Sequence, residues 1–334
     1  MPNRAFRPLP FLVTLVVCIP LAVLVVWPQA FGAQMVPIVS QVVAFRAPLA
    51  LILGAGAAAF AGIALARRRS AVAAALAIAL AATSIGHGAI LLSRGGGGPE
   101  PRGDLTVVAW NTLGGGATPE SIARLIAETD ADIVSLPETD ERAAAEVAQL
   151  VARDGRRMWV HTAYGESGRS RIPTSVLIAE HLGEYRVDRA AGSTPGLPSA
   201  VWKPTDESGP TIVAAHPMPP LPGGLGDWRR GLQWIAAQCG DPDVIVAGDL
   251  NATIDHLWGL GDRDGLIGLC RDAASEAHSA AAGTWPTGAP TWLAAPIDHV
   301  LVGPAWIARG FRVVTSFDDA GSDHRPIVAV LDAR

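Results

Sequence analysis

Acidic residues are absent from the first 99 positions of this 334-residue chain, which contain seven Arg. Lysine is nearly absent from the whole chain, since Lys203 is the single example. The seven Arg of residues 1–99 leave 19 basic and 31 acidic residues for 100–334, a net charge of −12. Because Lys and Arg supply most of the attraction to a polyanion, this balance argues against extended nucleic-acid binding by the C-terminal part.

Cysteine is also scarce, with three in the chain. Cys18 lies inside an apolar run, where it serves as a packing residue. Cys239 and Cys270 lie in the C-terminal part, and an oxidising compartment would allow them to form one disulfide. Two buried free thiols are the alternative.

Three apolar runs, at about 9–27, 47–66 and 71–92, are long enough to cross the membrane as helices. The second and third runs are rich in Ala and Gly, small residues that let helices approach closely. The shorter run 35–45 either extends the second span or lies in the membrane interface. We therefore expect residues 1–92 to be a membrane anchor. A cleaved signal peptide is the alternative for the first run, although two more runs follow it.

The positions of Arg predict the orientation of this anchor. Five Arg flank the spans on the side that the positive-inside rule assigns to the cytoplasm: Arg4, Arg7, Arg67, Arg68 and Arg69. Arg46 and Arg94 lie on the other side and oppose this orientation more weakly. The N-terminus is then cytoplasmic, and everything after residue 92 lies outside the cytoplasm at the cell membrane.

Residues 93–104 (SRGGGGPEPRGD) contain four consecutive Gly and predict a flexible linker. The remainder, 105–334, is long enough for one large catalytic domain. In it, β-rich runs alternate with Ala-rich helical patterns. We predict helices at 121–129 and 228–238, and strands at 105–110, 132–136, 174–179, 211–215, 244–247, 297–302 and 327–331. Polar residues stand where these strands stop, which is typical of enzymes built on a rigid sheet.

The stretch Gly-Ser-Asp-His-Arg-Pro-Ile at 321–327 is the most informative of these strand borders. Asp323 and His324 stand side by side ahead of a predicted strand. A carboxylate can hold a cation, and an imidazole can move a proton near neutral pH, so the pair suits metal-assisted hydrolysis. An Asp-His dipeptide alone is weak evidence, but four other strand ends carry similar residues.

Six motifs in this order resemble the endonuclease/exonuclease/phosphatase superfamily, which has a deoxyribonuclease-like fold. They are VVAWNT (107–112), IVSLPET (133–139), VAAHP (213–217), IVAGDLNAT (245–253), PIDHVLV (296–302) and GSDHRPIVA (321–329). The resemblance implies an α+β fold, a four-layer α/β/β/α sandwich of two packed, mainly antiparallel sheets flanked by helices. Here three transmembrane helices would precede it. The resemblance also implies phosphoester hydrolysis with a divalent cation, Mg²⁺ or Mn²⁺.

The same resemblance implies a metal site made by Glu138, Asn111 and Asp323. Carboxylate oxygens suit a hard cation such as Mg²⁺. The amide of Asn111 would help to place either the metal or the phosphate.

Five further residues are implied to be catalytic: His324, Asp249, Asp298, His216 and Asn251. Asp298 would orient His324, which acts as a general base or stabilises charge on the phosphorane. Asp249 would orient or deprotonate the attacking water, or protonate the leaving oxygen. His216 and Asn251 would contact the phosphate.

His299 follows Asp298 on the same predicted strand. Because side chains alternate across a strand, we expect His299 to face away from the site.

We therefore expect a membrane-tethered, divalent-metal-dependent phosphoesterase that acts outside the cytoplasm on a phosphate mono- or diester. A lipid head group or a small organophosphate is the expected substrate, and the N-terminal helices would contact membrane lipids. Local patches at Arg169 with Arg171 or at Arg229 with Arg230 keep an extracellular nuclease as an alternative. A non-catalytic membrane scaffold with a relic domain is a third interpretation. The loops 217–228 and 284–292 either shape specificity or are ordinary connections.

Overall fold

The computed structural model describes residues 8–66, 70–98, 102–165, 172–206 and 208–334. The chain divides into two units, Met1–Ser93 and Arg94–Arg334, and each is considered by itself. Seven of the Arg discussed above lie outside the described residues: Arg4, Arg7, Arg67, Arg68, Arg69, Arg169 and Arg171.

The first unit is helical because its sequence is almost continuously apolar and rich in Ala and Leu. Its helices are α1 (Pro8–Val26), α2 (Val39–Val43), α3 (Arg46–Ala66) and α4 (Ala71–Arg94). Helices α1, α3 and α4 are long and apolar enough to cross a membrane, with mean hydropathies of 2.9, 2.2 and 1.9. The run 35–45 contains the separate short helix α2 and does not continue α3.

Small residues bring these helices close together, as the Ala- and Gly-rich composition predicts. A Cβ on Gly54 of α3 would lie 3.2 Å from Oγ of Ser84 in α4. The Ser84 hydroxyl donates to the carbonyl of Ala50 at 2.8 Å. A Cβ on Gly86 would lie 3.2 Å from Val26 at the end of α1. Helix α4 therefore packs on both other long helices through positions that tolerate little added volume.

The described residues of the second unit form two six-stranded sheets and one short two-stranded pair. Its strands are β1 (Leu105–Ala109), β2 (Ile133–Pro137), β3 (Met158–Ala163), β4 (Thr174–Ala179), β5 (Tyr185–Val187), β6 (Ala200–Pro204), β7 (Thr211–Ala215), β8 (Val244–Asp249), β9 (Leu260–Gly261), β10 (Ile267–Gly268), β11 (Arg271–Asp272), β12 (Asp298–Val302), β13 (Trp306–Val313) and β14 (Ile327–Ala333). The first sheet has the order β13-β14-β1-β2-β4-β3, and the second has the order β11-β12-β8-β7-β6-β5.

Both large sheets are mixed and mainly antiparallel, as expected. Strands β1 and β2 are the parallel pair of the first sheet, and β7 and β8 are the parallel pair of the second. The other neighbours within each of these sheets run antiparallel. Each parallel pair ends in loops on the same side, which lets two strands deliver their following residues to one place.

The core lies between the two sheets, and helices flank them. The helices of this unit are α5 (Pro119–Thr129), α6 (Glu141–Arg153), α7 (Leu225–Gln238), α8 (Ile254–Leu257) and α9 (Ala273–Glu276). Val107 and Ala109 of β1 pack in the same buried cluster as Ala247 and Val300 of the second sheet. Val108, on the opposite face of β1, belongs to the cluster that includes residues of α5 and α6. This alternation builds the predicted sandwich.

Side-chain caps fix where two helices begin after strands that end at the site. Oγ1 of Thr118 accepts from the N–H of Ser121 at 3.3 Å, and Pro119 is the first residue of α5. Oδ1 of Asp140 accepts from the N–H of Ala143 at 2.7 Å at the start of α6. These caps satisfy backbone donors that a helix start leaves without partners.

Cys239 and Cys270 form a disulfide, so the first of the two alternatives for these residues holds. The bridge joins the end of α7 to the segment that precedes β11. In the same unit, the carbonyls of Arg94 and Gly95 accept from the N–H groups of Ala280 and Ala281. Residues 99–101 of the predicted linker lie outside the described residues, and the boundaries at 92, 104 and 105 stay predictions.

Candidate active site

The predicted site residues stand where strands of both sheets reach one end of the sandwich, here called the site end. Asn111 follows β1, and Glu138 follows its parallel neighbour β2. In the second sheet, His216 follows β7, and Asp249 is the last residue of β8. Asp298 begins the antiparallel strand β12 and is the direct register partner of Asp249. Strand direction and register thus bring together residues that are far apart in the sequence.

The Asp-His turn reaches the same end because it precedes β14, which is antiparallel to β1. The hydroxyl of Ser322 donates to the carbonyl of Asn111 at 2.6 Å, and it accepts from the N–H of His324 at 3.0 Å. The indole N–H of Trp110 donates to the carbonyl of His324 at 2.8 Å. These three bonds hold the turn against the end of β1.

Asn111 links a carboxylate of each sheet. Its Nδ2 donates to Oε1 of Glu138 and to Oδ2 of Asp249, each at 3.1 Å. Its Oδ1 accepts from the N–H of Leu113 at 3.0 Å, which fixes the orientation of the amide. The side chain therefore bridges the two acids, and its carbonyl oxygen does not face them. The predicted part of Asn111 in placing a metal or a phosphate stays a prediction.

His324 and Asp298 form a buried pair. Nδ1 of His324 lies 2.9 Å from Oδ2 of Asp298, and its Nε2 lies 3.8 Å from Oδ2 of Asp249. Burial alone lowers the pKa of His324, but the charges of Asp298 and Asp249 and the bond to Asp298 outweigh it and raise this pKa to about 10. The ring is therefore protonated near neutral pH. Burial raises the pKa of Asp249, although the charge of His324 opposes the change.

His216 lies between the two acids that Asn111 links. Its Nε2 is 3.8 Å from Oε1 of Glu138 and 3.8 Å from Oδ2 of Asp249. Burial lowers its pKa against the opposing charge of Asp249, so this ring is the neutral imidazole of the site. Its backbone N–H donates to Oγ of Ser199 at 2.8 Å. Its buried Nδ1 has no hydrogen-bond partner among the described residues.

Two residues of the site have positive φ angles, which L-residues other than Gly rarely adopt. These angles are 64° at Glu138 and 48° at Asn251. The N–H of Asn251 donates to Oδ1 of Asp249 at 2.8 Å, and its Nδ2 donates to the carbonyl of Pro217 at 3.0 Å. Such strain persists where surrounding bonds enforce it, and it concentrates at functional sites. Asn251 therefore fixes the carboxylate of Asp249 and fastens the loop that begins at Pro217.

Asp323 is held by a tryptophan of the loop before β12. The indole N–H of Trp285 donates to Oδ2 of Asp323 at 2.9 Å, and the Trp285 ring centroid lies 6.4 Å from that of His324. The other oxygen, Oδ1, is buried without a hydrogen-bond partner in the part of the chain that the structure describes. The buried guanidinium of Arg325 fastens the loop by donating to the carbonyl of Thr287 at 2.8 Å.

These acids suit a divalent cation. Glu138, with a side chain that is 21% exposed, and Asp323, with its unpartnered oxygen, offer the carboxylate oxygens that Mg²⁺ and Mn²⁺ prefer. Ligand atoms of Asp249, Asp298 and His324 also lie within 4.8 Å of one another. In that group, however, Asp298 and His324 are already hydrogen-bonded to each other. Glu138 and Asp323 stay the predicted ligand pair.

His299 lies outside the site, on the side of β12 away from Asp298. Its Nδ1 is 2.9 Å from Oδ1 of Asp272, and its Nε2 is 2.8 Å from the carbonyl of Ala252. Both ring nitrogens are thus engaged away from the acids of the site.

Several supporting residues were not predicted individually. Ser322 and Arg325 flank the Asp-His pair in the chain, and that adjacency was a usable signal. Trp285 is predicted only as a member of the loop 284–292. Trp110 carries no signal of its own, because its indole bond to the His324 carbonyl depends on the pairing of β1 with β14.

The sequence profile of the Endonuclease/Exonuclease/phosphatase family matches residues 108–324. Similar solved structures include an endonuclease/exonuclease/phosphatase from Beutenbergia cavernae DSM 12333, which is 20% identical over 70% of this chain and 72% of that chain, with a TM-score of 0.52. A functionally unknown conserved protein from Enterococcus faecalis V583 is 14% identical over 69% of this chain and 100% of that chain, with a TM-score of 0.49. TDP2 from D. rerio, complexed with a single strand DNA product, is 16% identical over 68% of this chain and 98% of that chain, with a TM-score of 0.49. At these identities the likeness concerns the fold alone. No protein of curated function matches the sequence.

Proposed function

The chain belongs to the endonuclease/exonuclease/phosphatase family, a family of metal-dependent phosphoester hydrolases, and we propose that it works as a membrane-tethered phosphoesterase. The proposed substrate is a phosphate mono- or diester, either a lipid head group or a small organophosphate, and the proposed place of action is outside the cytoplasm. One observation carries the proposal. Five polar side chains converge at one end of the two sheets: Glu138, Asn111, Asp249, His216 and His324.

In the proposed reaction, water attacks phosphorus in line with the leaving oxygen. Asp249 is fixed by the N–H of Asn251 and would orient that water and accept its proton. His324 is fixed by Asp298, so its Nε2–H would donate to a phosphoryl oxygen as charge develops there. His216 would supply a second donor beside Asp249. These groups are held in place before the reaction, which is the arrangement that favours charge stabilisation in the transition state.

Glu138 and Asp323 would hold the divalent cation, with Asn111 keeping the carboxylate of Glu138 in place. When bound, Mg²⁺ or Mn²⁺ would neutralise charge on the phosphate and support the leaving oxygen. The indole of Trp285 holds one oxygen of Asp323 and leaves the other for this role. The predicted ligand Asn111 keeps a supporting part in the proposed site through its amide nitrogen.

Charge supports a substrate other than extended nucleic acid. Residues 100–334 carry a net charge of −12, and Lys203 is the single Lys. Of the suggested Arg patches, Arg230 is paired with Asp227 in α7. A strand of DNA would find few cations here to replace its counterions. The scaffold alternative would require a degraded site, but the eight predicted residues are all of competent types.

The test uses the full-length protein in nonionic detergent with Mg²⁺ or Mn²⁺. Four substrates are compared: bis(para-nitrophenyl) phosphate, para-nitrophenyl phosphate, phospholipid in mixed micelles, and plasmid DNA. We expect hydrolysis of a small ester or of phospholipid, lost with EDTA and restored by Mg²⁺. Glu138→Gln should abolish turnover and weaken Mn²⁺ binding, measured by electron paramagnetic resonance. Glu146→Gln, an equal charge change at an exposed position of α6, is the matched control.

Two outcomes would replace the proposal. Faster cleavage of plasmid DNA than of the other esters would establish the nuclease alternative. Inactivity on all four substrates, together with no bound Mn²⁺, would establish the scaffold alternative.

The proposed orientation is tested separately. Protease added to intact cells should digest the second unit, and the same unit should be protected in inverted membrane vesicles. The reverse pattern would place the catalytic unit in the cytoplasm.

A further inference from the structure

Three loops around the candidate site contain no Asp, Glu, Lys or Arg, namely 112–118, 217–226 and 279–297. Together they span more than thirty positions of a unit that otherwise carries many charges. Their composition is Gly, Pro, Ala, Thr, one Ser and large apolar residues. An uncharged stretch of this extent at the mouth of a phosphate site is unexpected if the substrate is charged over its whole length.

Each loop is fastened directly to a residue of the site. The N–H of Leu113 in the first loop donates to Oδ1 of Asn111 at 3.0 Å. The carbonyl of Pro217 in the second loop accepts from Nδ2 of Asn251 at 3.0 Å. Trp285, in the third loop, donates to Asp323 at 2.9 Å. The three loops are therefore the immediate border of the site.

Each loop also exposes a large apolar side chain, and these three side chains are called the apolar rim. Leu113 is 47% exposed, Leu221 is 56% exposed and Trp292 is 57% exposed. Two charged residues of neighbouring loops at the site end are engaged within the fold: Asp140 caps α6, and Asp318 binds the guanidinium of Arg325.

The opposite end of the same sheets is different. Next to the start of β2 and the end of β4, a cleft of about 740 Å³ is lined mainly by charged side chains. They are Asp130, Asp132, Asp154, Arg156, Arg157, Glu180 and His181. The lack of charge is therefore local to the border of the site and is not a property of the whole unit.

We propose that the substrate is an amphiphilic phosphoester of a lipid surface, with its hydrocarbon side seated against the apolar rim while its phosphate enters the site. This inference rests on the proposed phosphoesterase function. A protein partner seated on the rim would cover the reacting groups, whereas a lipid substrate would contact both rim and site. Exposed Leu and Trp side chains suit the boundary between head groups and hydrocarbon. The same chain also contains three helices apolar enough to lie in a membrane.

The test compares two diesters with the same reacting phosphorus and the same leaving group. Ethyl para-nitrophenyl phosphate is soluble in water, and hexadecyl para-nitrophenyl phosphate partitions into detergent micelles. The full chain is assayed in nonionic micelles as wild type, as the double variant Leu221→Asn/Trp292→Gln, and as the control Trp159→Gln. Trp159 is 38% exposed and lies near the start of β3, away from the site end.

We expect the wild-type kcat/KM for the hexadecyl ester to exceed that for the ethyl ester, and the rim variant to lower this ratio about tenfold. The Trp159→Gln control should keep the wild-type ratio. If both esters are hydrolysed and the rim variant keeps the wild-type ratio, the amphiphile inference is overturned while the phosphoesterase function stands. If neither ester is hydrolysed and the four substrates of the activity test are also left intact, the proposed function is overturned with it.

Discussion

Two Asp–His pairs lie on opposite faces of β12, and their comparison shows how one motif serves two purposes. Asp298 pairs with His324, and the next residue along the strand, His299, pairs with Asp272. In both pairs the Nδ1 to carboxylate distance is 2.9 Å, and in both the histidine is buried. The distinction lies at the second ring nitrogen.

The pair of His299 and Asp272 is here called the closed pair. Nε2 of His299 is 2.8 Å from the carbonyl of Ala252, so both ring nitrogens are occupied within the fold. The pair of His324 and Asp298 is here called the open pair. Nε2 of His324 faces Oδ2 of Asp249 at 3.8 Å, a separation longer than a hydrogen bond. The proton on Nε2 of His324 therefore faces the acids of the site. The fate of the second nitrogen, and not the Asp–His bond itself, therefore distinguishes a reactive histidine from a structural one.

The most direct test of this comparison removes the imidazole of the open pair, that of His324. His324→Ala should lower kcat by about 10²–10⁴-fold, the range for losing a positioned acid or base. Some stability should also be lost, about 3–5 kcal/mol, because the side chain of Asp298 is buried and would lose its histidine partner. Steady-state kinetics and thermal unfolding of the same preparation measure both effects. Near-normal turnover would remove His324 from the proposed reaction.

Removing the closed ring should lower stability without lowering turnover. His299→Ala leaves the carboxylate of Asp272 buried without its partner, which should cost about 3–5 kcal/mol of unfolding free energy. Turnover per folded molecule should stay close to the wild type, because both ring nitrogens of His299 are engaged on the side of β12 away from the site. Denaturant unfolding followed by Trp fluorescence measures the loss, and His299→Gln should recover part of it. A stable but inactive His299→Ala protein would contradict the division between the pairs.

Sequence reasoning separated these two histidines because it needed only local geometry. Alternation along one strand placed Asp298 and His299 on opposite faces, and the structure agrees. Four interior strands of the two large sheets could be predicted for a similar reason. Strands β1, β4, β7 and β14 are short apolar runs followed or preceded by polar residues. The resemblance then implied the layering of two packed sheets between helices, which no periodicity provides.

One strand and two side-chain contacts could not be predicted, because they depend on contacts between segments that are distant in the sequence. Strand β3 contains His161 and an exposed Trp159, so its sequence lacks a clear apolar run. The segment is extended because it pairs with β4. The partner of His299, Asp272, is distant in sequence and meets it through the pairing of β11 with β12. The indole bond from Trp285 to Asp323 likewise exists only once the loop before β12 folds onto the Asp-His turn.

The open pair has a further neighbour that sharpens the comparison. Trp285→Phe keeps an aromatic ring beside His324 but removes the N–H that binds Oδ2 of Asp323. We expect Mn²⁺ affinity to fall about tenfold, the scale on which partners of metal ligands act. Titration followed by electron paramagnetic resonance measures this without turnover. Trp306→Phe, which removes an indole bond to Asp243 far from the site, is the control. Equal affinities in the two variants would show that Asp323 needs no help from Trp285.

The smallest effect concerns the proton on the closed pair. Burial alone lowers the pKa of His299, but the bond and charge of Asp272, the carbonyl of Ala252 and the charge of Asp298 outweigh it and raise this pKa. The folded protein therefore holds this proton more tightly than the unfolded chain, in which histidine titrates near pH 6.5. The stabilisation is fully present below about pH 6.5 and is lost as pH rises through the raised pKa of the folded state.

His299→Gln isolates this contribution, because Gln offers Asp272 a donor that does not titrate in this range. We expect the stability difference between wild type and His299→Gln to shrink as pH rises from about 6 to about 9. Denaturant unfolding at several pH values measures the difference, and titrating groups that do not interact with His299 cancel in it. Parallel stability curves would mean that His299 carries no extra proton. The closed pair would then be held by a neutral ring, and the two pairs on β12 would differ in charge as well as in what their second nitrogen meets.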